Sequence, residues 1–196
     1  MTSLLYCLGI PDLVLSMQAV YIVDDAKIAS VLIDPMRRAI LNLLRQKPMT
    51  QAQLANELGL SGASLNHHMK ILRSKKLVSI ARREIERHRI MQIFFSSVAY
   101  LFVYDLNLLP KNISRYFYPV SLERAMVLIA LLMLKERSFK IDQNPEITNA
   151  LAERLSGLIV KTARRYEHKS VDSSYERIVF EIYTKAVSEL LLTNIH

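Results

Sequence analysis

Between residues 26 and 77 apolar positions recur every three to four residues, and residues that start or stop helices punctuate them at short intervals. DDAKIASVLI predicts a first short helix that Asp34-Pro35 stops. In MRRAILNLLRQ, Ile40, Leu43 and Leu44 share one face, with Asp34 placed as N-cap and Pro35 at the first helical position. Pro48 ends that helix. Thr50 caps TQAQLANELG, in which Leu54, Ala55 and Leu58 form a stripe that stops at Gly59. Ser61 caps the next segment, where Leu65, Met69 and Leu72 repeat at i, i+4 and i+7. His68 falls on the same inner face; Asn66, His67 and Lys70 do not. After Leu77 the period shortens to two: Val78 and Ile80 alternate with small or polar residues, charged residues fill 82–89, and alternation resumes in RIMQIFF. That pattern predicts a β-hairpin with a long basic tip.

Four helices followed by a two-stranded ribbon is the order of a winged helix-turn-helix. The expected fold class is therefore mainly α with a small β-hairpin, the winged helix-turn-helix domain being followed by a helical dimerisation domain. Residues 97–120, SVAYLFVYDLNLLPKNISRYFYPV, are aromatic-rich and poorly periodic, and read as a packed connector. Ser121 is placed as the cap of a helix that is apolar nearly all round. Asn144-Pro145-Glu146 starts a second, with Ile147, Leu151, Leu155, Leu158 and Ile159 on its stripe. Ser173 and Glu176 form a capping box for a third, which carries Ile178, Val179, Ile182, Tyr183, Ala186, Val187, Leu190 and Leu191. The expected divisions are an N-terminal extension over 1–26, the winged helix over 27–96, the connector over 97–120, and the helical domain over 121–196.

The formal net charge of +8 changes this picture through its distribution. Residues 27–96 hold 13 Lys and Arg against 4 Asp and Glu, so essentially all the excess lies on the predicted winged helix, which favours a polyanion as partner. The single cysteine, Cys7, excludes an internal disulfide framework and a Cys-rich zinc site and fits a cytoplasmic location. The apolar N-terminus lacks a basic n-region and is broken by Pro11 and Asp12, so a signal peptide is not expected; Met17 is an alternative start, leaving 1–16 as an extension. The longest apolar run, AMVLIALLML, is about half of a membrane span, so no membrane association is expected. Asp105, Glu123 and Asp142 are too scattered for an acid-base pair, and no G-x-S-x-G, P-loop or H-E-x-x-H signature occurs, so the chain does not read as an enzyme.

In a helix-turn-helix the second helix lies in the major groove and offers its N-terminal residues to base edges. Close packing of the pair needs a small residue, a tight turn and an apolar residue, which Ala55, Gly59 and Leu65 supply at relative spacings of four and ten. The outward residues of helix 61–75 are then Ser61, Gly62, Ala63, Ser64, Asn66, His67 and Lys70. The small ones permit close approach, Asn66 suits adenine, His67 suits a base or phosphate, and Lys70, Arg73, Lys75 and Lys76 suit phosphates. Arg82, Arg83, Arg87, His88 and Arg89 lie at or near the wing tip, over 82–89, where arginine can enter a narrow minor groove. Adjacent helix positions diverge by about 100°, so His67 and His68 do not chelate a metal together.

Residues 27–96, centred on MRRAILNLLRQKPMTQAQLANELGLSGASLNHHMKILRSKKLV, resemble the ArsR-type winged helix family of prokaryotic transcriptional regulators. The ending HHMKILRSKKLV is close to that family's run of histidine, apolar residue, basic residue and leucine before a glycine-leucine-valine turn, with Lys76 in the glycine's place. The resemblance implies a dimeric DNA-binding regulator. It does not bring metal sensing: TQAQLANEL lacks the paired cysteines of the best-known sensors, and beyond residue 97 the only histidines are His168 and His196. No cofactor is expected. The expected function is sequence-specific binding of double-stranded DNA as a homodimer joined through the C-terminal helices, the alternative being a nonspecific architectural DNA-binding protein. Tyr100, Phe102, Tyr104, Tyr116, Phe117 and Tyr118 fit packing more readily than a pocket for a small apolar effector.

Overall fold

The computed structural model describes residues 17–85, 91–135, 145–170 and 175–193. They form two compact units, Met36–Val98 and a second unit made of Gln18–Pro35 together with the chain from Ala99 onward. The second unit is thus discontinuous in sequence, with the first inserted between its parts.

In the inserted unit, α2 (Pro35–Leu44) starts at the proline expected to open it and buries Ile40, Leu41 and Leu44. Helix α3 (Gln51–Leu58) opens with a complete capping box: the Gln53 amide donates to Thr50 Oγ1 at 3.2 Å, and the Thr50 amide donates to Gln53 Oε1 at 2.9 Å. Gly59 ends it in the left-handed region, at φ 62°, while the Leu60 amide reaches back to the Ala55 carbonyl at 2.9 Å. Helix α4 (Gly62–Ser74) is capped by Ser61 and packs on α3. A second left-handed residue, Lys76 at φ 55°, follows it. The antiparallel ribbon pairs β2 (Val78–Ile85) with β3 (Met91–Ser97), with an irregularity between Ile80 and Arg82. Met49 adds a one-residue bridge, exchanging both backbone hydrogen bonds with Phe95 at 3.0 and 2.9 Å.

The second unit begins with β1 (Gln18–Val23), which pairs in parallel with β4 (Ala99–Tyr104) from Gln18↔Ala99 to Val23↔Tyr104. Its Ala19 amide also donates to the Lys169 carbonyl at 2.8 Å, so β1 is held on both edges. Ala19, Val20, Ile22 and Val23 are all buried, the two-faced burial expected of a strand in a parallel pair. Asp25 caps α1 (Ala26–Leu32), accepting from the amides of Lys27 and Ile28. Beyond β4 come α5 (Lys111–Ser114), α6 (Tyr118–Lys135), α7 (Pro145–Ala163), a 3-10 turn at Arg164–Tyr166, and α8 (Tyr175–Thr193). Helix α7 packs against both α6 and α8. One core joins β1 and β4 to Val160, Ala163, Tyr166 and Ile182; another gathers Ala125, Ala152, Leu155, Ala186 and Leu190. The Arg164 guanidinium donates to Asp105, past the end of β4, at 2.9 Å and reaches Asp24, past the end of β1, at 3.4 Å, which holds it charged beyond its ordinary range.

Several elements differ from those read in the sequence. Residues 18–26, expected as extension, hold β1, and α1 falls with that strand rather than with the winged helix over 27–96. Asp25 caps α1 only two residues after the strand ends, and α1 packs on β1 and α5. The connector 97–120 contains β4 and α5. Helix α6 starts at Tyr118, not after Ser121, whose amide already donates to the Phe117 carbonyl at 3.1 Å. Ser173 lies outside the described residues.

The two left-handed residues of the inserted unit make opposite predictions from one steric cause, since a Cβ in that region costs about 1 kcal/mol. Gly59→Ala, where the new Cβ meets no neighbour within 4 Å, should lower the stability of the inserted unit by about that amount, whereas Lys76→Gly should raise it by about as much. Thermal unfolding of the two full-length variants checks both signs.

Candidate nucleic-acid interface

Helix α4 separates its two faces sharply. Leu65, Met69 and Leu72 are 0% exposed, while Ser61, Ala63, Asn66, His67, Lys70 and Arg73 are exposed and Ser64 and Lys75 half-buried. The Ser61 hydroxyl accepts from the Ser64 amide at 3.2 Å, so the cap leaves the first turn's remaining amides facing outward. A Cβ built on Gly62 meets nothing within 4 Å; the helix tip fronts open space, and no neighbour inside the unit requires the glycine. A polyanion can therefore approach the backbone closely. His68 is half-buried and meets the exposed His67 ring edge to face, with centroids 5.8 Å apart. Arg73 carries its guanidinium 5.6 Å from the Phe95 ring, so it leans from α4 toward the ribbon.

On the ribbon, Arg82 and Arg83 occupy opposite faces, opposite Phe94 and Ile93 respectively. Arg82 lies 4.1 Å over the Phe94 ring and bonds Glu84 at 2.5 Å, so part of its charge is engaged within the wing. Arg83 is exposed. Arg87, His88 and Arg89 lie outside the described residues. Next to that tip, the cross-strand partners Ile85 and Met91 are 73% and 57% exposed.

A groove of about 220 Å³ that sequence reading missed runs beside the first helix of the pair, lined by Lys47, Gln53, Asn56, Glu57, Arg82 and Phe94 among others. It exists because Met49 ties the segment before α3 to β3. The signal was slight: one apolar residue between Pro48 and Thr50, with no strand-length pattern around it. Lys47 joins the basic set through this groove.

Among the described residues, no three His, Cys, Asp or Glu side chains gather where they could hold a metal ion. The aromatics of 97–120 are mostly paired: Tyr100 stacks on Tyr175 at 4.6 Å, Tyr104 on Phe117 at 4.0 Å, and Phe102 meets Tyr21 at 5.6 Å. Tyr116 is exposed beside Arg115. Tyr118 donates to Glu153 at 3.2 Å, and burial together with that carboxylate raises its phenol above the usual range. Among the described residues no helix is long and apolar enough to cross a membrane.

Residues 34–79 match the bacterial regulatory protein arsR family. Over 50 residues the chain is 38% identical to the transcriptional repressor SdpR of Bacillus subtilis (strain 168), a stretch covering 26% of this chain and 56% of that protein. The chain thus spans about half the length of that curated relative. Among solved structures, NolR from Sinorhizobium fredii shares 32% identity, with 38% of this chain and 68% of that one covered at a TM-score of 0.32. A double mutant of Lactococcus lactis ZitR in its apo form shares 17%, with 67% and 85% covered at 0.31. The family match falls on the helix-turn-helix whose inward and outward faces are described above. Residues 34–79 thus carry the helix-turn-helix segment, with its DNA-binding fold, that the bacterial arsR regulatory family shares.

Proposed function

We propose that this protein is a homodimeric, sequence-specific regulator of transcription that sets α4 of each protomer in successive major grooves and its basic wing on the flanking minor groove or backbone. The observation that carries the reading is the outward face of α4: small residues at its tip, then Asn66, His67 and Lys70 exposed on the segment that matches the arsR family. Asn66 reads a base edge, most simply adenine, whereas Lys70, Arg73, Lys75 and Arg83 neutralise phosphates. SdpR is described as a repressor, and repression is the reading for this chain as well.

Dimerisation is supported by α6. Val120, Val127, Leu131 and Leu134, at spacings of seven, four and three, lie along one side of the helix and are 48%, 54%, 57% and 80% exposed. Single exposed apolar residues are ordinary, but a stripe along four turns of helix asks for a partner surface. A second copy supplies the same stripe by two-fold symmetry and gives a roughly palindromic site with half-sites about one turn apart.

Selection of the purified protein against a random duplex library at near-physiological salt tests the whole reading. Recovery of a short inverted repeat supports it; retention without an enriched sequence favours the nonspecific architectural alternative, and no retention removes DNA binding altogether. With a site in hand, Asn66→Ala should cost about 1–3 kcal/mol per half-site and erase preference at one position. Lys75→Ala should instead weaken all duplexes alike and reduce the salt slope by about one per protomer. Leu131→Lys combined with Leu134→Lys, both at exposed positions, should give a monomer in sedimentation without loss of helicity and weaken the palindrome far more than a single half-site.

A further inference from the structure

The second unit contains a cavity of about 240 Å³, walled by the turn after β4, by α5, by the start of α6 and by the middle of α7. Its volume is below the roughly 300–1,000 Å³ of drug-sized sites, which limits an occupant to a small metabolite. Three observations describe that occupant. The floor is apolar, with Leu122 half-buried and Val160 buried. The mouth carries two exposed charges of opposite sign, Lys111 and Glu153. Neither has an ionic partner among the described residues; Glu153 is held only by the Tyr118 hydroxyl, whereas the third charged wall residue, Asp105, is already neutralised by Arg164 at 2.9 Å.

The third observation is Gly157. It stands inside α7 as the thirteenth of its 19 residues, where glycine costs about 1 kcal/mol relative to alanine. Its φ is not positive, and a Cβ built there meets nothing within 4 Å, so neither backbone conformation nor close packing accounts for it. It lines the cavity, and a side chain at this position would occupy open space beside it.

We propose that this cavity is a binding site for a small zwitterion with an apolar side chain, an α-amino acid of about the size of leucine, whose carboxylate pairs with Lys111 and whose ammonium pairs with Glu153. Tyr118 fixes the Glu153 carboxylate, Ser156 offers a hydroxyl on the same wall, and the side chain covers Leu122 and Val160. Gly157 keeps the space open. Every residue that lines the site belongs to the second unit, and its occupancy is measurable with no duplex present.

Isothermal titration calorimetry on the full chain with L-leucine tests this, with 4-methylpentanoate and 3-methylbutylamine as analogues that lack the ammonium or the carboxylate. L-Leucine should bind and each analogue bind at least roughly tenfold more weakly. Glu153→Gln should weaken leucine by a similar factor without changing 4-methylpentanoate, and Lys111→Met should do so without changing 3-methylbutylamine. Gly157→Leu should abolish binding while raising the thermal midpoint and leaving duplex affinity intact. Absence of heat from leucine, isoleucine, valine, methionine and phenylalanine at about 10 mM would overturn the proposal, since even millimolar affinity is detected there. So would equal binding of leucine and its analogues, or binding that survives Gly157→Leu. Because duplex affinity is read separately, failure here leaves the DNA-binding reading standing, and failure there leaves this one.

Discussion

Burial of Leu65, Met69 and Leu72 along one side of α4 is the constraint around which the inserted unit is arranged. With three successive turns committed inward, the helix has no rotational freedom left, and every outward residue from Ser61 to Arg73 takes its place by default. The turn before it obeys the same demand. Gly59 in the left-handed region lets α3 end abruptly, the Leu60 amide closes the last turn, and Ser61 starts the next helix two residues later. Burial of roughly 1.5–3 kcal/mol per large apolar side chain makes this inner stripe far stronger than any single polar contact on the outer face. The outer face is therefore free to be chosen for recognition rather than for stability.

That is also why this half of the molecule was legible in the sequence. Periodicity, caps and a turn glycine all lie within a few residues of one another, so the positions of Thr50, Gly59, Ser61 and Leu65 specify the local geometry almost alone. The β1 to β4 pairing was not legible for the opposite reason. Its partners are about eighty residues apart, and a strand buried on both faces shows no alternation to mark it: AVYIV and YLFVY read simply as apolar. The start of α6 was misjudged because Ser121 is a good cap by type, yet Pro119 already suits the first turn and the helix begins ahead of it. Lys76 shows a further limit. A lysine in the left-handed region is a strained choice, and its residue type gives no sign of that conformation, although its place in the family's turn does.

The second unit divides its polar groups by role. Arg164 ties together the carboxylates past the ends of β1 and β4, and Tyr166 donates to Glu181 at 2.8 Å while accepting from Lys185 at 2.8 Å, so the segment after α7 is fastened to α8. Those groups are engaged and their task is structural. Lys111 and Glu153, by contrast, hold their charges at the rim of a cavity with a glycine in its helical wall. Among the described residues, the exposed polar side chains of α4 and the two charges at this rim take no part in those ties.

The insertion of the winged helix between β1 and β4 has a consequence for synthesis. A ribosome makes β1 first and β4 only about eighty residues later, an interval of roughly 4–16 s at ordinary elongation rates. During that time the winged-helix segment, whose contacts are local, can complete its fold, while the apolar AVYIV strand has no partner at either edge. For those seconds the strand is an unpaired apolar segment open to aggregation, and its protection waits on the synthesis of β4.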